Sequence, residues 1–386
     1  MSKIKFPKNF LWGSATSAYQ VEGGIDNCDW SEEFPAGKAC DHYNKFREDF
    51  ELLEALNQDI HRFSIEWSRI EPEPGEFDQK EIEHYRKVLK DLKSRDVKTM
   101  VSLHHITTPL WLDEQGNWTN TEVINYFPRF AQRVFGEYND LVDYWITINE
   151  PIVYAFFGYL VGEWMPQKES LTSMLKVVRN QLVSHRRIYD AFHKKDSGVK
   201  VGITKNNSYA EPLPGCFLNR VSTSVKKYLW NEWFLNRVNP QLDFIGLNYY
   251  RHEKIKFPLQ IESGDNETSD MGWEIYPEGI YHVLKDLKKY DKPIFITENG
   301  VADAEDQYRK EFIKNHLRWV HKAFEEGVDV RGYLYWSLMD NFEWADGYGP
   351  RFGLVEVDYD TLERKIRDSA RYYAQIARNN SLTIEK

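Results

Sequence analysis

Two glutamates stand where a chain seldom leaves a charge. Glu298 follows the apolar run Pro293-Ile294-Phe295-Ile296 within Ile296-Thr297-Glu298-Asn299-Gly300, and Glu150 closes Tyr144-Trp145-Ile146-Thr147-Ile148-Asn149 with Pro151 behind it. β-Branched and aromatic runs of this length form buried strands, and Asn-Gly or proline ends them, so each carboxyl belongs at the C-terminal tip of a strand. A buried carboxylate is costly unless paired, which makes each one either half of an ion pair or a working group. Two with the same setting predict a carboxyl pair. Such a pair is the machinery of glycoside hydrolysis: one group protonates the leaving oxygen and the other attacks the anomeric carbon. A separation of about 5 to 5.5 Å gives retention, and roughly 6.5 to 9.5 Å gives inversion.

The two roles need different surroundings. Glu298 as nucleophile needs a nearby cation to keep it ionised, and Arg62 in Ile60-His61-Arg62-Phe63-Ser64 is an inward-facing candidate. A purely structural Glu298 would make the same ion pair, so the pairing does not exclude catalysis. Glu150 as acid must hold a proton, which a dry site and repulsion from Glu298 both promote.

Strands and helices alternate around these residues. Strands are predicted at Phe10 to Ala15, Ile60 to Ile65, Val97 to Leu103, the run ending at Glu150, Lys200 to Thr204, Asp243 to Asn248, the run ending at Glu298, and Val330 to Trp336. Helical spacing fills the intervals at Asp41 to Leu56, Gln79 to Arg95, Thr121 to Tyr138, Leu171 to Lys194, Val221 to Trp233, Tyr276 to Tyr290, Lys310 to Glu326 and Thr361 to Ala377. Eight strand-helix units with no linker or low-complexity tract predict one closed (β/α)8 TIM barrel, a single catalytic domain over residues 1–386. The working face of such a barrel is the C-terminal one, where both glutamates fall.

Composition narrows the partners. A net charge of −10 argues against a nucleic-acid or anionic-membrane surface, and no window approaches a membrane span. Aromatics make up 15% of the chain, with 13 Trp and 23 Tyr, and their flat faces with hydrogen-bonding edges suit sugar rings. Cys28, Cys40 and Cys216 make an odd count without metal spacing, which points to a reduced, cytoplasmic setting. No metal site and no phosphate-binding glycine loop is evident, so no cofactor is expected.

The motifs around Glu150 and Glu298 resemble the two signatures of glycoside hydrolase family one, the retaining β-glucosidase and β-galactosidase group. The likeness continues through Phe10 to Gly23, Arg62 to Arg69, Leu103-His104-His105, and Trp336-Ser337-Leu338-Met339-Asp340-Asn341-Phe342-Glu343-Trp344. The resemblance implies Glu150 as acid/base and Glu298 as nucleophile, tuned by Arg62 and Tyr250. It also implies a sugar pocket of Gln20, His105, Asn149, Trp336, Glu343 and Trp344, supported by Asn248 and Phe352, with Asn149 on the sugar 2-hydroxyl. The expected ligands are small β-linked saccharides or aryl and alkyl β-glycosides. His104 should point away from the pocket, while Glu66, Trp67 and Arg69 read as structural.

Three departures stand out. Relatives acting on 6-phosphorylated sugars replace the pocket carboxylate and add a Lys and a Tyr, whereas those places hold Glu343, Pro350 and Phe352, which favours a neutral sugar. Ile106 follows His105 where many relatives carry Trp. The segment Lys205 to Leu242 is short for the family, so either an outer wall of the cleft is missing or a homo-oligomer supplies stability. An endo-acting or transglycosylating barrel on the same glutamates, and a non-catalytic sugar-binding barrel, are the competing readings.

Overall fold

The computed structural model describes residues 2–384 apart from 263 and 265. Its centre is a closed barrel of eight parallel strands: β1 (Leu11–Ala15), β2 (Ile60–Ser64), β3 (Lys98–His104), β4 (Tyr144–Asn149), β5 (Val201–Asn206), β6 (Phe244–Asn248), β7 (Ile294–Asn299) and β8 (Val330–Trp336). Each strand pairs with its neighbours in chain order, and β8 returns to β1. The expected (β/α)8 barrel is therefore the observed fold. Its strands read as apolar because both faces are covered, one by helices and the other by the barrel's own filling.

That filling is visible as a separate cluster. Ile60, Met100, Ile146, Phe244, Phe295 and Leu334, from six different strands, meet in the barrel interior. This plug closes the barrel below the C-terminal ends, so anything bound there meets a solid floor. The outer helices bury their apolar stripes in a second, larger core that includes Phe50, Leu89, Phe130 and Leu317.

Strict alternation from the plug would turn Asn149 and Glu298 outward, because they lie an odd number of residues beyond Ile146 and Phe295. The ladder is irregular at both places: the β4–β5 register shifts between Ile146 and Asn149, and the β6–β7 register shifts between Ile296 and Glu298. A shift of this kind re-aims a side chain at a strand end. It brings both residues inward.

Three boundaries differ from expectation. A helix at Pro151–Tyr159 follows Glu150 directly, with Pro151 in the first turn, where its missing N–H costs nothing. The helix expected at Val221 to Trp233 runs from Phe217 to Lys227 and then widens into a single π-helical turn, Tyr228–Glu232. The last helix begins at Asp368, because Asp358 accepts from the backbone N–H groups of Asp360 and Thr361 and sets a turn, after which Arg364–Ile366 pairs with Val355–Val357. Among the described residues no helix is long and apolar enough to cross a membrane, and no three metal-ligating side chains cluster.

Candidate active site

The C-terminal ends of the strands open into a cavity of about 860 Å³. Glu150, Glu298, Asn149, His105, Trp336, Glu343, Trp344, Tyr250 and Phe352 all line it. Arg62, Asn248 and Gln20 are fully buried and stand behind that lining. The twelve residues singled out in the sequence thus converge on one place, nine at the surface and three behind it.

Glu298 sits among donors. Arg62 pairs with its Oε1, and the Tyr250 hydroxyl donates to its Oε2 at 2.8 Å. Burial pushes the Tyr250 phenol well above its ordinary range, so the hydroxyl keeps the proton that it donates. Arg62 also donates to Asn149 Oδ1 at 2.7 Å and to Ser102 Oγ at 3.2 Å, which fixes the guanidinium in one plane.

Among the described residues no cation pairs with Glu150. Asn248 and Asn206 donate their amide N–H groups to its Oε1 at 2.8 and 3.1 Å. With both amides on Oε1, a proton belongs on Oε2. Burial, and then the charge of Glu298, push its pKa up to about 7. Asn206 escaped the sequence reading: it ends β5, and only its alignment with Asn248 on the neighbouring strand marks it. The backbone at Glu150 is left-handed, with φ of 47°, as it is at Ile106 (75°) and Trp344 (48°). Three strained non-glycine residues around one cavity are what pre-organised sites show.

The far end of the cavity is polar with an aromatic frame. Glu343 is pushed up to about 8 by burial, then by the charges of Glu298, Asp346 and Glu150. Gln20 reaches Glu343 Oε2 at 3.4 Å and is itself held by the carbonyl of Phe342 at 2.8 Å. The His105 ring lies parallel to both Trp336 and Trp344, each with centroids 6.0 Å away. Its two nitrogens lie 3.4 Å from Arg62 and 3.3 Å from Asn149 Nδ2, both of them donors. Burial holds His105 well below its ordinary pKa, and a neutral ring accepts through one nitrogen only. His104 turns away and accepts from Trp118 Nε1 at 3.1 Å. Glu66 caps Ser68, and Arg69 pairs with Glu22 at 2.9 Å, both structural contacts.

Two buried carboxyl groups lining one cavity at the mouth of a closed (β/α)8 barrel fit the frame of a barrel hydrolase. The comparisons with known proteins give it a family: the model of glycosyl hydrolase family 1 matches residues 2–239 and 235–382. The chain belongs to glycosyl hydrolase family 1, whose members are hydrolases of glycosidic bonds. It is 35% identical to β-glucosidase A of Thermotoga maritima over 99% of this chain and 100% of that one. Among solved structures, a β-glycosidase from Pyrococcus horikoshii superposes with a TM-score of 0.94 at 38% identity, covering 99% of this chain and 97% of that one. The T. maritima β-glucosidase in complex with glucoimidazole superposes with a TM-score of 0.93 at 34% identity, covering 97% and 99%. The alignment with β-glucosidase A runs over 444 positions against 386 residues here, and the family match breaks at residues 235–239, in the stretch between β5 and β6 read as short.

Proposed function

We propose that this protein is a retaining exo-β-glycosidase that hydrolyses β-glucosides, with β-galactosides or β-fucosides as further substrates. Glu298 attacks the anomeric carbon while Glu150 protonates the leaving oxygen; Glu150 then takes a proton from the water that releases the sugar from Glu298. The observation that carries this reading is the opposite company of the two carboxyl groups, an ion pair with Arg62 for one and amide donors with a raised pKa for the other. The whole chain acts as one catalytic domain.

The polar end supplies hydroxyl partners. Asn149 meets the 2-hydroxyl, His105 a neighbouring hydroxyl, and Glu343, neutral below about 8, both donates and accepts. Gln20 acts by positioning Glu343, and Trp336 and Trp344 give the ring its apolar floor. The substrates are small β-linked saccharides and aryl or alkyl β-glycosides. The three free cysteines suit a cytoplasmic setting.

A panel of aryl β-glycosides with the product anomer followed by NMR tests the reading. The β-anomer is expected first; early release of the α-anomer would overturn retention, and no turnover of any member would overturn the assignment.

A further inference from the structure

The register shift at the tip of β7 has a residue of its own. β6 pairs Leu247 with Ile296 and Asn248 with Glu298, so Thr297 is the residue that the ladder skips. Skipping it turns Glu298 inward. Thr297 is itself fully buried, and its hydroxyl donates to Asn248 Oδ1 at 2.7 Å. Among the described residues that amide oxygen is the hydroxyl's one hydrogen-bond partner.

Room for this contact is built into the neighbouring strand. A Cβ at Gly246, on β6, would come within 2.9 Å of the Thr297 hydroxyl and 2.6 Å of the Thr204 methyl. A bare position inside a strand marks a close approach of this kind. Both threonines that it admits hold an asparagine of the site, since the Thr204 hydroxyl donates to Asn149 Oδ1.

The partners fix which way each bond runs. Asn149 Oδ1 faces the Arg62 guanidinium, which can only donate, so the group that Asn248 turns toward it at 3.3 Å is its amide N–H. The same nitrogen donates to Glu150 Oε1 at 2.8 Å, which leaves Asn248 Oδ1 for Thr297. Without the hydroxyl that oxygen would be buried and unpaired, a cost that drives the amide out of its present orientation and away from Glu150.

We propose that Thr297 is a positioning residue of the proton-transfer step: it holds the Asn248 amide N–H on Glu150 Oε1 and thereby keeps the transferable proton on Oε2. The strand that carries the nucleophile thus aims the acid. The inference rests on the hydrolytic reading above, and the reaction is unchanged: the proton passes from Glu150 to the leaving oxygen as the bond from that oxygen to the anomeric carbon breaks.

The test pairs Thr297→Val, which keeps the shape and removes the hydroxyl, with Thr297→Ser, which keeps the hydroxyl and removes a methyl. Thr297→Val should lower kcat/KM about tenfold on an alkyl β-glucoside, whose leaving group needs the proton, and by less than about twofold on a dinitrophenyl β-glucoside. Thr297→Ser should stay near wild type on both. An N–H bonded to Glu150 favours its carboxylate, so losing that bond should move the basic limb on the alkyl glucoside to higher pH in Thr297→Val. In a Glu150→Ala background Thr297→Val should add nothing further, because the two act through one group. Equal losses on both glucosides, or a loss in Thr297→Ser as large as in Thr297→Val, would show a merely structural threonine and overturn the inference. An unimpaired Thr297→Val, an unmoved basic limb or an additive loss in the Glu150→Ala background would overturn it too. Wild-type protein inert on both glucosides would instead sink the hydrolytic reading.

Discussion

The tips of β4 and β7 carry the same residue in opposite company. At β7, Glu298 meets a guanidinium and a phenol, and both of its oxygens are engaged by donors. At β4, Glu150 meets two neutral amides on one oxygen, in a site that burial and the neighbouring charge make hostile to a second anion. Of two carboxyl groups of equal intrinsic acidity, Glu150 is thereby pushed toward its protonated form, while Glu298 is paired with a cation. The division of labour lies in the neighbours, not in the residue type.

The contrast is most sharply broken at Glu298. Glu298→Gly should lower hydrolysis of an aryl β-glucoside by on the order of 10⁴-fold or more, because no other group forms the glycosyl bond. An unimpaired variant would remove the nucleophile assignment.

Glu150→Ala should cost about 10²- to 10⁴-fold on an alkyl glucoside, whose leaving group needs a proton, and far less on a dinitrophenyl glucoside, which needs almost none. Equal losses on both would show that Glu150 is not the acid.

The smallest effect is a titration. Glu150 must be protonated to work, and rising pH deprotonates it near 7, so kcat/KM should fall tenfold per pH unit above that value. Glu298→Gln removes one of the two causes that raise this pKa, so the Glu150 carboxyl should titrate lower in that variant by NMR. An unmoved titration would show that burial alone sets it.

Much of this was legible because strand ends announce themselves. Asn-Glu-Pro and Glu-Asn-Gly after β-branched runs place a carboxyl at a barrel mouth without any tertiary knowledge. What alternation cannot give is the face: Asn149 and Glu298 point inward only because the ladder shifts register at both tips, which is a property of neighbouring strands. Asn206 was missed for the same reason, since its partner Glu150 lies on the adjacent strand. The final helix was misplaced in its first turns because Leu362, Glu363, Arg364 and Lys365 are good helix formers, while the Asp358 turn that overrides them is a side-chain effect. The cavity's outer lining was not foreseen, because Leu171, Leu229 and Ile261 come from segments far apart in the chain.

Arg62 has one more consequence. From β2 its guanidinium reaches Glu298 on β7, Asn149 on β4, Ser102 on β3 and, at 3.5 Å, Thr204 on β5. Residues that share a partner in this way do not vary independently, so a substitution at one alters what the others tolerate. Paired substitutions among Glu298, Asn149, Ser102 and Thr204 should accordingly be non-additive, because each shares the Arg62 guanidinium.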